Sequence, residues 1–137
     1  MTDRLPRLAV GVLALAGVGV AAYLTWVHYS PEQLVCFAGG GCETVQRSSY
    51  SELGPVPVAV LGLAAYVVLL GTALVRGVLA AAASVAVALG GLAFAVWLVY
   101  VQGWILDAWC VWCVTSDVVL TLLTAAAVWR LLALAED

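Results

Sequence analysis

Four long apolar stretches, separated by short polar breaks, set the pattern of the chain. They cover about 8–27, 56–75, 78–101 and 109–130. An α-helix rises 1.5 Å per residue, so about 20 apolar residues cross a hydrocarbon core of about 30 Å, and each stretch is long enough. The first break is a polar loop at 28–55 containing Pro31, Glu32, Cys36, Cys42, Glu43, Arg47 and Glu52. Pro55 and Pro57 stand at the start of the second stretch, where the first helical turn tolerates a missing N–H. Arg76 and Gly77 make a very short second break. Four helices with short connections predict an up-down-up-down bundle. The expected fold class is thus an all-α membrane protein with four transmembrane helices in a single domain, 1–137.

Composition strengthens this reading. Hydrophobic residues make up 66% of the chain and charged residues 9%, with no lysine. A soluble domain of this size cannot hide so much apolar surface, whereas lipid can. A formal net charge of −3 rests on few ionised groups, and scattered arginines form no patch for nucleic acid. Arginine placement sets the orientation. Arg4 and Arg7 precede the first stretch, Arg76 sits in the second break and Arg130 closes the last stretch, while Arg47 lies on the opposite side. Positive residues favour the cytoplasm, so both termini are expected there. A cleaved signal peptide is the alternative for the first stretch, but an apolar core of about 20 residues exceeds the usual 7–15 and favours a retained helix. Trp26, Trp104, Trp109 and Trp112 then gather near the outer boundary and Trp129 near the inner one, as interfacial belts do.

With this orientation all four cysteines lie at the outer, oxidising face. Cys110 and Cys113, as Cys-Val-Trp-Cys at the start of the last stretch, share one helix face and can approach each other. A helix N-terminus stabilises a thiolate, so the pair reads as a reactive dithiol. Cys36 and Cys42 frame Phe-Ala-Gly-Gly-Gly, a backbone able to fold back tightly and to move. Two dithiols within reach can pass two electrons by thiolate attack on a disulfide. The four cysteines therefore read as a membrane electron relay. Two structural disulfides bracing the outer loops, or a four-thiolate zinc site, are the alternatives; the first needs little stabilisation in so apolar a bundle, and the second has imperfect spacing.

Other polar and aromatic positions extend the candidate site. Asp117 is a carboxylate well inside a stretch, and Cys110, Cys113, Asp117, Thr121 and Thr124 follow one another at steps of three or four. This stripe is expected to face the bundle interior, since ionisable groups avoid lipid. Asp117 then either relays a proton or hydrogen-bonds a redox ligand, or it is a neutral packing group. Phe94, Trp97, Tyr100 and Trp104 either wall a pocket for a planar ligand or anchor the interface. Tyr66, in the middle of the second stretch, needs a hydrogen-bond partner.

The motif Cys36-Phe-Ala-Gly-Gly-Gly-Cys42-Glu-Thr-Val-Gln-Arg-Ser48-Ser49, followed later by Cys110-Val-Trp-Cys113, resembles the bacterial members of the vitamin K epoxide reductase family. A Pro-x-x-x-x-Gly start of the second stretch, at Pro57 and Gly62, adds to the resemblance, which covers nearly the whole chain. The resemblance implies a quinone-linked thiol–disulfide oxidoreductase in the bacterial inner membrane. It implies electrons passing from a thioredoxin-fold thiol oxidase to Cys36/Cys42, then Cys110/Cys113, then a ubiquinone- or menaquinone-type acceptor. Carried over by position, Cys113 would face the quinone, Cys110 would exchange with Cys42, and Ser48 would sit on a short loop helix capping the site. Asp117, Tyr66, Trp97 and Tyr100 are the further candidates for quinone contact. Vertebrate relatives hydrogen-bond the quinone oxygens with an asparagine on the second helix and a tyrosine on the fourth; Val58 and Asp117 match those positions, which implies a general respiratory quinone rather than vitamin K epoxide. Many bacterial relatives carry a fused thioredoxin-like domain, for which this chain has no room, so a separate extracytoplasmic partner is expected. The rival reading is a membrane structural or assembly protein with two bracing disulfides.

Overall fold

A computed structural model describes residues 4–29, 52–53, 56–105 and 111–135. Helix α1 spans Arg4–Tyr29, α2 Val58–Leu74, α3 Val78–Tyr100 and α4 Val111–Ala135. A two-residue antiparallel ribbon, β1 (Glu52–Leu53) against β2 (Val56–Pro57), leads directly into α2. At its far end α3 continues without a break into a π-helical turn, Val101–Ile105.

Each helix buries one stripe and leaves the rest to lipid. On α1 the buried residues are Pro6, Val10, Ala14, Gly17, Ala21 and Leu24, recurring every three or four positions as a single helix face must. The facing stripes are made mostly of small residues: Ala73 on α2, Ala81, Ser84, Ala88 and Ala95 on α3, and Ala126 and Ala127 on α4. Small side chains let the backbones approach closely, which is how helices associate when burial of apolar surface gives no net drive. Many larger apolar residues point outward; Leu79 is 88% exposed and Leu74 77%. So largely apolar an exterior requires a bilayer. The protein is a multi-pass membrane protein built as a four-helix bundle, in which α1 and α3 each pack against both α2 and α4.

Among the described residues three helices are long and apolar enough to cross a membrane, whereas α2 has 17 residues. At 1.5 Å per residue α2 is about 25 Å long, short of a core of about 30 Å. Its exposed last carbonyls are met by Arg130 of α4, whose Nη1 donates to Thr72 O at 2.8 Å and Nη2 to Val75 O at 2.6 Å. Arg130 is fully buried. The hydropathy pattern ends the last stretch at this residue, but α4 runs on to Ala135, because an inward-turned and hydrogen-bonded arginine does not interrupt the helix. The turn between α2 and α3 depends on Gly77, whose φ of 118° is a left-handed conformation that side chains oppose.

Several hydroxyls inside the spans are satisfied within their own helices. Thr72 donates to Leu69 O, Ser84 to Ala81 O and Thr124 to Leu120 O, at 2.7–2.8 Å. No lipid group offers an alternative partner.

A candidate redox-ligand site

The bundle holds a partly open cavity of about 330 Å³. All four helices line it: Ala21 and Leu24 from α1, Gly62, Ala65 and Tyr66 from α2, Phe94 and Leu98 from α3, and Cys113, Ser116, Asp117 and Leu120 from α4. The π-helical turn adds Val101 and Gln102. Space exists because glycine and alanine stand where large side chains would fill it. A Cβ built on Gly62 would meet nothing within 4 Å. The volume falls at the lower end of the range for small-molecule sites, and the walls are almost wholly apolar.

The polar groups are few and unequally engaged. Tyr66, nearly fully buried, spans from α2 to α4: its hydroxyl donates to Ser116 O at 2.9 Å and lies 2.8 Å from Ser116 Oγ. Its ring lies against Gly17 of α1, where any Cβ would overlap it. Three helices are thus tied together beside Asp117. The carboxylate of Asp117 lines the cavity, and its Oδ2 is buried without a hydrogen-bond partner among the described residues. Buried polar atoms are rarely left so, because desolvation is not offset. Asp117 lines the cavity as a residue, while its Oδ2 is itself shielded from solvent. Cys113, half-buried, precedes Asp117 by one helical turn on the same wall.

Aromatic contacts hold the start of α4 in place. The ring of Trp112, the neighbour of Cys113, lies 4.8 Å from that of Tyr23 on α1, and Tyr23 lies 6.3 Å from Trp26. Edge-tilted pairs at these separations are attractive and fix the helix start against α1.

Of the residues expected at the site, Cys113, Asp117 and Tyr66 come together on one cavity, with Phe94 and Val58 also in its lining. Trp97 and Tyr100 do not. They stand 45% and 47% exposed and form a stacked ladder with Trp104, each step 5.7 Å between ring centroids. Helical geometry separates them from the wall: Phe94 and Leu98 occupy the inward face of α3, while Trp97 and Tyr100 occupy its lipid face. Thr121 also departs from the expected inward stripe, being exposed with its hydroxyl donating to Asp117 O at 2.8 Å. Tyr66 lines the cavity, but its hydroxyl is engaged with Ser116. Cys36, Cys42, Ser48 and Cys110 lie outside the described residues.

Ser116 and Gln102 are site residues that the sequence reading misses. Ser116 has a signal in hindsight, as the neighbour of Asp117 on a face already singled out. Gln102 has one too, as an amide residue at the end of a long apolar stretch.

Residues 8–128 match the vitamin K epoxide reductase family. No individual curated protein matches it.

Proposed function

The chain belongs to the vitamin K epoxide reductase family, whose members couple thiol–disulfide exchange to quinone, and from that premise we propose its specific reaction. It reoxidises a separate extracytoplasmic thioredoxin-fold protein, and electrons pass from Cys36/Cys42 to Cys110/Cys113 and on to a ubiquinone- or menaquinone-type acceptor. The observation that carries this reading is the apolar cavity with Cys113 and Asp117 on one wall.

The residues suit a quinone. A planar ring with two carbonyl oxygens and an isoprenoid tail needs apolar walls and few polar contacts, and the cavity offers both. When bound, the quinone accepts two electrons and two protons, and the Cys110/Cys113 dithiol that yields them becomes a disulfide. The chain's own work is the rest. The partner's dithiol is oxidised as the Cys36–Cys42 disulfide is reduced by thiolate attack, and the same exchange then passes the reducing equivalents to Cys110 and Cys113. Asp117, one turn after Cys113, is placed to hold a proton leaving the thiol and to present it to the cavity. Tyr66 and Ser116 position that turn of α4. The apolar walls give the transfer a site of low polarity.

The test is quinol formation by the purified protein in liposomes, with a reduced thioredoxin-fold protein as donor. The wild type should form quinol, and Cys113→Ala should lose about a thousandfold or more in rate. A wild type that forms no quinol, with all cysteines held in disulfides, would replace this reading with that of a structural protein braced by two disulfides.

A further inference from the structure

On the reading of the cavity as the quinone site, we propose that Gly62 decides how bulky a ring it admits. The ring lies between Cys113 on one wall and the bare backbone of Gly62 on the facing one, in the volume that a side chain at position 62 would take. Gly62 belongs to the inward stripe of α2. From the buried Ala73, Leu69 and Tyr66, steps of four, three and four residues lead back to it, so a side chain there would point into the bundle. Gly62 lines the cavity, and a Cβ built on it would meet nothing within 4 Å.

The usual structural reasons for a glycine do not apply at this position. Among the described residues the positive-φ glycine is Gly77, so no left-handed backbone calls for one at 62. Nor does a neighbouring helix press on it. A Cβ at Gly17 would overlap Tyr66, and one at Gly91, also in the lining, would stand 3.3 Å from Leu120 Cδ2. Gly19, Gly71 and Gly90 are as open as Gly62, but they are exposed and face lipid. Of these four open glycines, Gly62 is the one whose empty volume lies inside the bundle.

Two ties place that volume opposite Cys113. Tyr66 reaches Ser116, and further along both helices Thr72 and Val75 meet Arg130, so α2 and α4 run in the same direction. They stand at opposite corners of the bundle, each packed on α1 and α3. Gly62 comes one turn before Tyr66, and Cys113 one turn before Ser116. The two residues therefore share a level on facing walls of the cavity. Glycine lets a ligand approach the backbone closely, which leaves a planar ring the full width between α2 and the thiol. In an apolar site a single excess methylene changes discrimination by tenfold or more, so the residue at 62 acts as a size gauge.

Two para-benzoquinones with the same short alkyl tail test this, one bearing three ring methyl groups and the other two methoxy groups and a methyl. Both rings are fully substituted, so thiols do not add to them. Binding to the reconstituted protein is followed by tryptophan quenching, and ligand-free stability by thermal melting. Gly62→Ala should bind the methoxy quinone about tenfold more weakly, and Gly62→Val about a hundredfold. The trimethyl ring, smaller by two oxygen atoms, should lose less in each variant. Ligand-free melting of Gly62→Ala should not fall, because its methyl group meets nothing and alanine favours the helix. Gly71→Ala, on the lipid side of the same helix, should leave both affinities as they are. Unaltered affinities in the Gly62 variants, or equal losses for the two rings, would overturn the role of Gly62. Should Gly62→Val fail to fold, Gly62→Ala still decides between these outcomes. Absence of quinone binding by the wild type would instead sink the reading of the cavity itself.

Discussion

Gly17 and Tyr66 meet where α1 faces α2, and the contact leaves no room for a methyl group. The tyrosine ring occupies the volume a side chain at position 17 would take, and its hydroxyl then reaches Ser116 on α4. Gly17→Ala should therefore push the ring off its seat and lower stability by about 1–3 kcal/mol, as overpacking does. Gly19→Ala, on the same helix with nothing within 4 Å of its Cβ, should be neutral or slightly stabilising. Thermal melting of both variants in detergent checks the pair. Equal melting of the two would mean that the ring does not need the glycine. The need of Tyr66 for a partner is legible in the sequence, because a buried phenol must bond to something. That the partner is Ser116, fifty positions later, is not.

At the scale of elements, α2 is the exception: shorter than its neighbours, it ends among carbonyls that require donors. Arg130 supplies two from α4, with the planar fork of a guanidinium. Arg130→Met should leave Thr72 O and Val75 O without these bonds and cost about 2–3 kcal/mol, the scale of a hydrogen bond to a charged group. Arg130→Lys should recover only part of the loss, since an ammonium is a point donor. Chemical or thermal unfolding in detergent gives the order of the three proteins. A methionine variant as stable as the wild type would show that the capped carbonyls find other donors. From the sequence, Arg130 reads as an inner-boundary marker; its inward turn depends on where α2 stops.

For the whole molecule, topology carries the functional reading, because the relay needs its cysteines on the oxidising side. Arg4, Arg7, Arg76 and Arg130 against Arg47 predict cytoplasmic termini. A fluorescent protein that matures only in the cytoplasm should glow when fused after Asp137, and a membrane-impermeant maleimide applied from outside should label reduced Cys36 and Cys42 in intact cells. A dark fusion with labelling only after lysis would invert the bundle and remove the cysteines from an external partner. The same large-scale view accounts for the stacked Trp97, Tyr100 and Trp104, which present amphipathic rings to lipid rather than to the cavity.

By itself the sequence determined the class of this protein and pointed to the chemistry proposed for it. The length and apolar character of the stretches imply membrane helices, and the spacing of the cysteines implies dithiols; both are local properties, written in neighbouring residues. Only the tertiary structure decided which face of each helix turns inward. α2 and α3 are apolar nearly all round, so periodicity in hydropathy cannot distinguish a side that meets lipid from one that meets protein. Close packing of alanine and glycine stripes makes that choice, and with it come the cavity, the Tyr66–Ser116 tie and the outward Trp97 and Tyr100. The π-helical turn at Val101–Ile105, in which Gln102 is buried, is likewise a backbone feature that a residue pattern assuming regular helices does not contain.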